Sequence, residues 1–61
     1  MKKVYTPEEI SKGLKVSKKV VYLWLNEGKL KGFKAGNLWR VTRKSLEEFL
    51  QAPIPWENGE E

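Results

Sequence analysis

Lys18, Lys19, Tyr22 and Asn26 are the side chains whose types and spacing could do chemistry, and that chemistry is hydrogen-bond donation. On one helix, at about 100° per residue, they occupy much of the side opposite Val21, Trp24 and Leu25. One face is apolar and the other is a row of donors. Two lysines on a helix are most often a solvated face, so the setting has to argue for a ligand. Between Lys12 and Lys44 lie ten of the twelve basic residues and one of the eight acids, Glu27. A surface of that charge repels itself unless a polyanion answers it.

Other chemistries lack their materials. The chain has no histidine and no cysteine, which removes the neutral-pH base, the thiolate, the disulfide framework and the usual metal ligands. No nucleophile–base pair is visible, so neither an enzyme nor a cofactor is expected. Met1-Lys2-Lys3-Val4-Tyr5 has no apolar export core behind it, and no run approaches the ~20 apolar residues of a membrane span. The expectation is a cytoplasmic protein with no membrane partner.

The elements that must position these donors are short. Ser17 suits an N-cap and Gly28 a left-handed C-terminus, so one helix spans the stretch between them. Before it, Thr6-Pro7-Glu8-Glu9 reads as a capping box with proline at the first helical position, and Tyr5 and Ile10 stand at the staple positions. A first helix from Pro7 to about Leu14 follows, with small Ser11 near its buried side and Gly13 as a local weakness. Lys15-Val16 leaves only a tight connection, so the two helices form a helix-turn-helix with Val16 as an apolar plug.

Next come Phe33-Lys34-Ala35 and Leu38-Trp39-Arg40-Val41, joined by Gly36-Asn37, the signature of a two-residue hairpin turn with positive φ. Alternation predicts that Phe33, Trp39 and Val41 pack inward while Lys34 and Arg40 point out. Thr42 can cap a third helix from Arg43 to about Gln51, with Leu46, Phe49 and Leu50 as its apolar stripe. Arg43 and Lys44 begin that helix, where positive charge opposes the dipole, which suggests an anion for them. Sixty-one residues make one small domain near the lower limit for an unaided core. Net charge is +4, but residues 1–51 carry twelve basic and five acidic side chains, whereas 52–61 carry three acids and no base. The reading is an α+β domain over 1–51, mostly helical with one β-hairpin in the order α-α-β-β-α. An acidic, flexible, non-helical tail over 52–61 follows, in which Ile54 and Trp56 could dock on the body or meet a partner.

Tyr5-Thr6-Pro7-Glu8-Glu9-Ile10, Leu14-Lys15-Val16-Ser17, Val21-Tyr22, Gly28-Lys29-Leu30, Gly36, Trp39-Arg40-Val41 and Arg43 with Leu46-Glu47-Glu48-Phe49-Leu50 together resemble the excisionase-type branch of the MerR-like winged helix-turn-helix family. The similarity spans about residues 5–50. It implies a domain that binds double-stranded DNA, with the second helix in the major groove and the wing on the backbone or in the adjacent minor groove. It also implies self-association as a dimer or head-to-tail array, and a role as a recombination directionality factor, working with an integrase or another protein, or as a small transcriptional regulator. Leu23 and Leu38 depart from the basic or polar residues common at their positions, which points to thymine methyls or to a neighbouring protein molecule.

On that resemblance, Lys18, Lys19, Tyr22, Leu23 and Asn26 are the candidate base-reading residues. Ser17, Lys34, Asn37, Arg40, Arg43 and Lys44, with Lys29 or Lys31, are the candidate backbone contacts. Two other classes compete. A protein-interaction module would use Leu23, Leu38 and Trp56 as exposed anchors and bind without regard to salt. RNA binding is disfavoured because the outward strand positions Lys34, Leu38 and Arg40 lack stacking aromatics.

Overall fold

The computed structural model describes residues 3–57. Its elements are β1 (Val4–Tyr5), α1 (Pro7–Leu14), α2 (Lys18–Glu27), β2 (Phe33–Ala35), β3 (Leu38–Thr42), α3 (Arg43–Leu50) and a 3₁₀ turn at Pro55–Glu57. The expected order α-α-β-β-α is present, preceded by a strand that the sequence did not announce. β1 pairs antiparallel with β3 and makes the sheet three-stranded, in the order β1-β3-β2.

Local hydrogen bonds explain where the helices start and stop. The Thr6 hydroxyl accepts from the Glu9 amide and the Glu9 carboxylate accepts from the Thr6 amide, completing the capping box. The Ser17 hydroxyl accepts from the Val20 amide and the Thr42 hydroxyl from the Ser45 amide, so each later helix carries its own cap. Gly28 ends α2 at φ 80°. Ser11 is buried and donates its hydroxyl to the Glu8 carbonyl, which leaves α1 a small surface where α2 crosses it.

Tyr5, Ile10, Val21, Leu25, Leu30, Val41, Leu46 and Ile54 form the core. Trp24 packs on its margin against Phe49 at 4.9 Å between ring centroids. The sequence leaves Ile54 either docked on the body or facing a partner, and at 1% exposure it docks on the body. One finding differs from the reading of the tail as non-helical. Pro55–Glu57 is helical in the 3₁₀ sense rather than irregular, and its Trp56 meets Tyr5 edge-on at 6.0 Å. That ring also accounts for Gly13. A Cβ on Gly13 would collide with the Trp56 indole, so a residue that weakens α1 is what lets the chain's return segment lie against it. The expected flexibility of the remaining tail concerns residues 58–61, outside the described residues.

The hairpin corrects one expectation. Its two-residue turn pairs Ala35 with Leu38, Lys34 with Trp39 and Phe33 with Arg40. Directly paired residues share a sheet face, so Trp39 and Val41 face inward with Lys34. Phe33 faces outward with Leu38 and Arg40 and is 45% exposed. Lys34 lies 5.2 Å over the Trp39 ring, a cation–π contact at the edge of the inward face.

The Gly13–Trp56 contact gives a sign test. Gly13→Ala is expected to destabilise the protein because the indole must move. In a Trp56→Ala background the same substitution should stabilise it by about 0.5–1 kcal/mol, the ordinary gain of alanine over glycine inside a helix. Chemical denaturation of the four proteins in the cycle measures both signs.

Candidate nucleic-acid interface

Burial of Val21 and Leu25 fixes how α2 is rolled and leaves Lys19, Leu23, Asn26 and Glu27 exposed on its far side. Lys18, also exposed, starts the helix, and half-buried Tyr22 lies on the flank nearer α1. Four of the five expected base readers, Lys18, Lys19, Leu23 and Asn26, are thus open to a ligand.

Tyr22 is the exception, because its hydroxyl has a partner within the fold. It donates to the Glu8 carboxylate at 3.1 Å, joining the start of α1 to the middle of α2 across fourteen positions of sequence. Glu8 was not among the expected site residues, and nothing local in the sequence pairs it with Tyr22. Its carboxyl is held below the ordinary range, first by its own backbone amide and then, against the opposing effect of desolvation, by the Tyr22 hydroxyl and the charges of Lys18 and Arg40. The phenol of Tyr22 is pushed up, mainly by that same bond. A carboxylate from α1 and a phenol from α2 therefore meet, with the charges of Lys18 and Arg40 near enough to be felt by the carboxylate.

The candidate backbone contacts divide. Asn37, Lys44, Lys29 and Lys31 are exposed. Lys34 is exposed and leans over Trp39. Arg40 is half-buried on the outward face of the hairpin, where one of its terminal nitrogens donates to the Trp39 carbonyl at 2.7 Å. Ser17 uses its hydroxyl as the α2 cap. Lys29 sits 3.3 Å from Glu27, the single acid in the basic stretch, in an exposed pair of little energetic weight.

Arg43 is occupied by the fold. It pairs with Glu47 at 3.3 Å one turn on and donates to the Tyr5 hydroxyl at 3.2 Å, which offsets its unfavourable place at a helix start without an external anion. Trp56, half-buried on Gly13, does not supply the exposed anchor expected of a protein-interaction module. Phe33 gives the outward sheet face the aromatic that the sequence reading denied it. Turn length was the signal that could have found it, because a two-residue loop ties odd positions of one strand to even positions of the next.

Among the described residues no group of three or more histidine, cysteine, aspartate or glutamate side chains could hold a metal ion, and no helix is long and apolar enough to cross a membrane. Residues 4–53, most of the chain, match the family described as Helix-turn-helix domain. No curated protein and no solved structure matches the chain.

The Glu8–Tyr22 bond has a pH signature. A carboxyl whose folded pKa lies below its unfolded value adds stability above the unfolded value and loses it as pH falls through the folded one. Tyr22→Phe is therefore expected to lower the melting temperature at neutral pH by an amount that shrinks under acid conditions. It should also move the Glu8 titration part of the way back towards 4.5. Carboxyl chemical shifts followed by NMR would show this, and a titration indifferent to the substitution would mean that the bond does not form in solution.

Proposed function

Since the chain belongs to the helix-turn-helix domain family and is a DNA-binding protein of that kind, we propose that α2 enters the major groove of a duplex while the β2–β3 hairpin lies as a wing on the flanking backbone or in the adjacent minor groove. The observation that carries the reading is the roll of α2. Its core-facing side is filled by Val21 and Leu25, so Lys19, Leu23 and Asn26 stand exposed on a ridge of the far side.

Affinity and specificity fall to different residues. Lys34, Arg40 and Lys44, with Lys29 or Lys31, would neutralise phosphates and release counterions, so binding should weaken steeply with salt. Lys18 and Lys19 can donate to guanine O6 or N7, Asn26 can pair with adenine, and Leu23 offers an apolar contact to a thymine methyl. Tyr22, tied to Glu8, holds its ring against the flank of the groove and acts more through shape than through its hydroxyl. A further part of the proposal is an excisionase-like recombination directionality factor or a small transcriptional regulator, self-associating on repeated sites. An integrase gene beside it would favour the former.

Gel-shift titration against a random-site duplex pool tests the division of labour. Asn26→Ala is expected to relax preference at one position by about 1–3 kcal/mol, whereas Arg40→Ala should weaken binding to all sequences alike and reduce the salt slope by about one. Equal losses on every sequence for Asn26→Ala would remove it from the reading set.

A further inference from the structure

Among the described residues the large apolar side chains left exposed are Val4, Leu23, Phe33 and Leu38. Leu23 belongs to the outer ridge of α2. The other three share one sheet face, the one turned away from the core, because Val4 pairs with Thr42, Phe33 with Arg40, and Ala35 with Leu38. Leu38, beside the turn, is 58% exposed, and Phe33 is 45% exposed. They are diagonal neighbours across the two strands, about 7–8 Å apart at Cα, with Arg40 alongside. The outward face of the hairpin thus carries an apolar pair, Leu38 next to the turn and Phe33 at the start of β2, with the Arg40 guanidinium on the same face.

Two side chains on a hairpin face are too few for a stable protein partner, since specific protein interfaces use roughly 20–30 residues a side. The guanidinium on the same face fits a polyanion better than an apolar protein surface. A minor groove, about 6 Å wide and walled by phosphates, offers sugars and base edges to the apolar pair and phosphates to Arg40.

Resting on the DNA reading above, we propose that Phe33 and Leu38 form a wedge that enters the minor groove beside the α2 site and opens a base step, bending the duplex towards the major groove. Arg40 holds the groove wall while the apolar pair presses on sugars and base edges. The wedge selects sequence where α2 never touches. It favours A·T pairs, which carry no amino group on the minor-groove floor, and pyrimidine–purine steps, which unstack at least cost.

The test uses the full chain and the duplex it selects from a random pool. Replacing flanking adenines by diaminopurine adds an amino group to the minor groove and leaves the adenine N6 and N7 pattern of the major groove in place. Wild-type protein is expected to lose about tenfold in affinity on the substituted duplex and to bring the labelled ends of the unsubstituted one together by energy transfer. Leu38→Ala and Phe33→Ser should each bind the unsubstituted duplex about tenfold more weakly, ignore the substitution and leave the ends apart. Melting curves report the fold of each variant, and if one fails to fold the wild-type response to diaminopurine still decides.

A protein that binds no duplex would overturn the DNA reading and the wedge together. Duplex binding indifferent to diaminopurine, with unchanged end distances in the variants, would overturn the wedge alone. Variants that change only the oligomeric state would make the face a contact between protein copies. Single-stranded RNA bound as tightly as duplex, and lost in Phe33→Ser, would make it a stacking platform. Either result rejects the wedge.

Discussion

The ring of Tyr5 is where the helices, the sheet and the C-terminal turn meet. It is fully buried, pairs in β1 with Val41, meets Trp56 edge-on and accepts a hydrogen bond from Arg43 through its hydroxyl. A two-residue strand has no stability of its own. β1 persists because Tyr5 is buried on one side of it and Thr6, the next residue, already caps α1. The angle between sheet and helices is therefore set over consecutive residues, with no loop to flex. Beyond Val41, the strand partner of Tyr5, Gly32 brings the chain against α2 so closely that a Cβ there would lie 2.7 Å from Leu25. A ligand gripped at once by α2 and the hairpin needs that rigid relation, because a grip at two points loses its selectivity when the points move independently.

What could be read in the sequence was whatever is decided within a few residues. The capping box at Thr6–Glu9, the caps at Ser17 and Thr42, the left-handed Gly28 and the hairpin turn are local, and each fixed an element boundary to within a residue or two. Most of the outward face of α2 was legible for the same reason, since helical period alone separates Lys19 and Asn26 from Val21 and Leu25. β1 was not, because two residues carry no period. The Glu8–Tyr22 bond and the seat of Trp56 on Gly13 join positions far apart in sequence, and only the assembled fold brings them together.

Phe33 is a different kind of miss. Hydrophobicity alone puts so large an aromatic in the core, whereas pairing across a two-residue loop places it opposite Arg40 on the outer face.

That placement bears on what the outer sheet face is for. An antiparallel sheet with one face on the core leaves the other in water, and the default there is polar. Among the described residues the three α-helices serve the core side, and Phe33 and Leu38 on the second face stay exposed. Burying a phenylalanine or leucine contributes about 1.5–3 kcal/mol, a large share of the ~5 kcal/mol on which so small a domain depends. Phe33 and Leu38, 45% and 58% exposed, make only part of that contribution, so polar residues at the same positions would cost the fold less than at a core position. The apolar, cation-flanked character of this face is thus a property of the surface and not a by-product of folding.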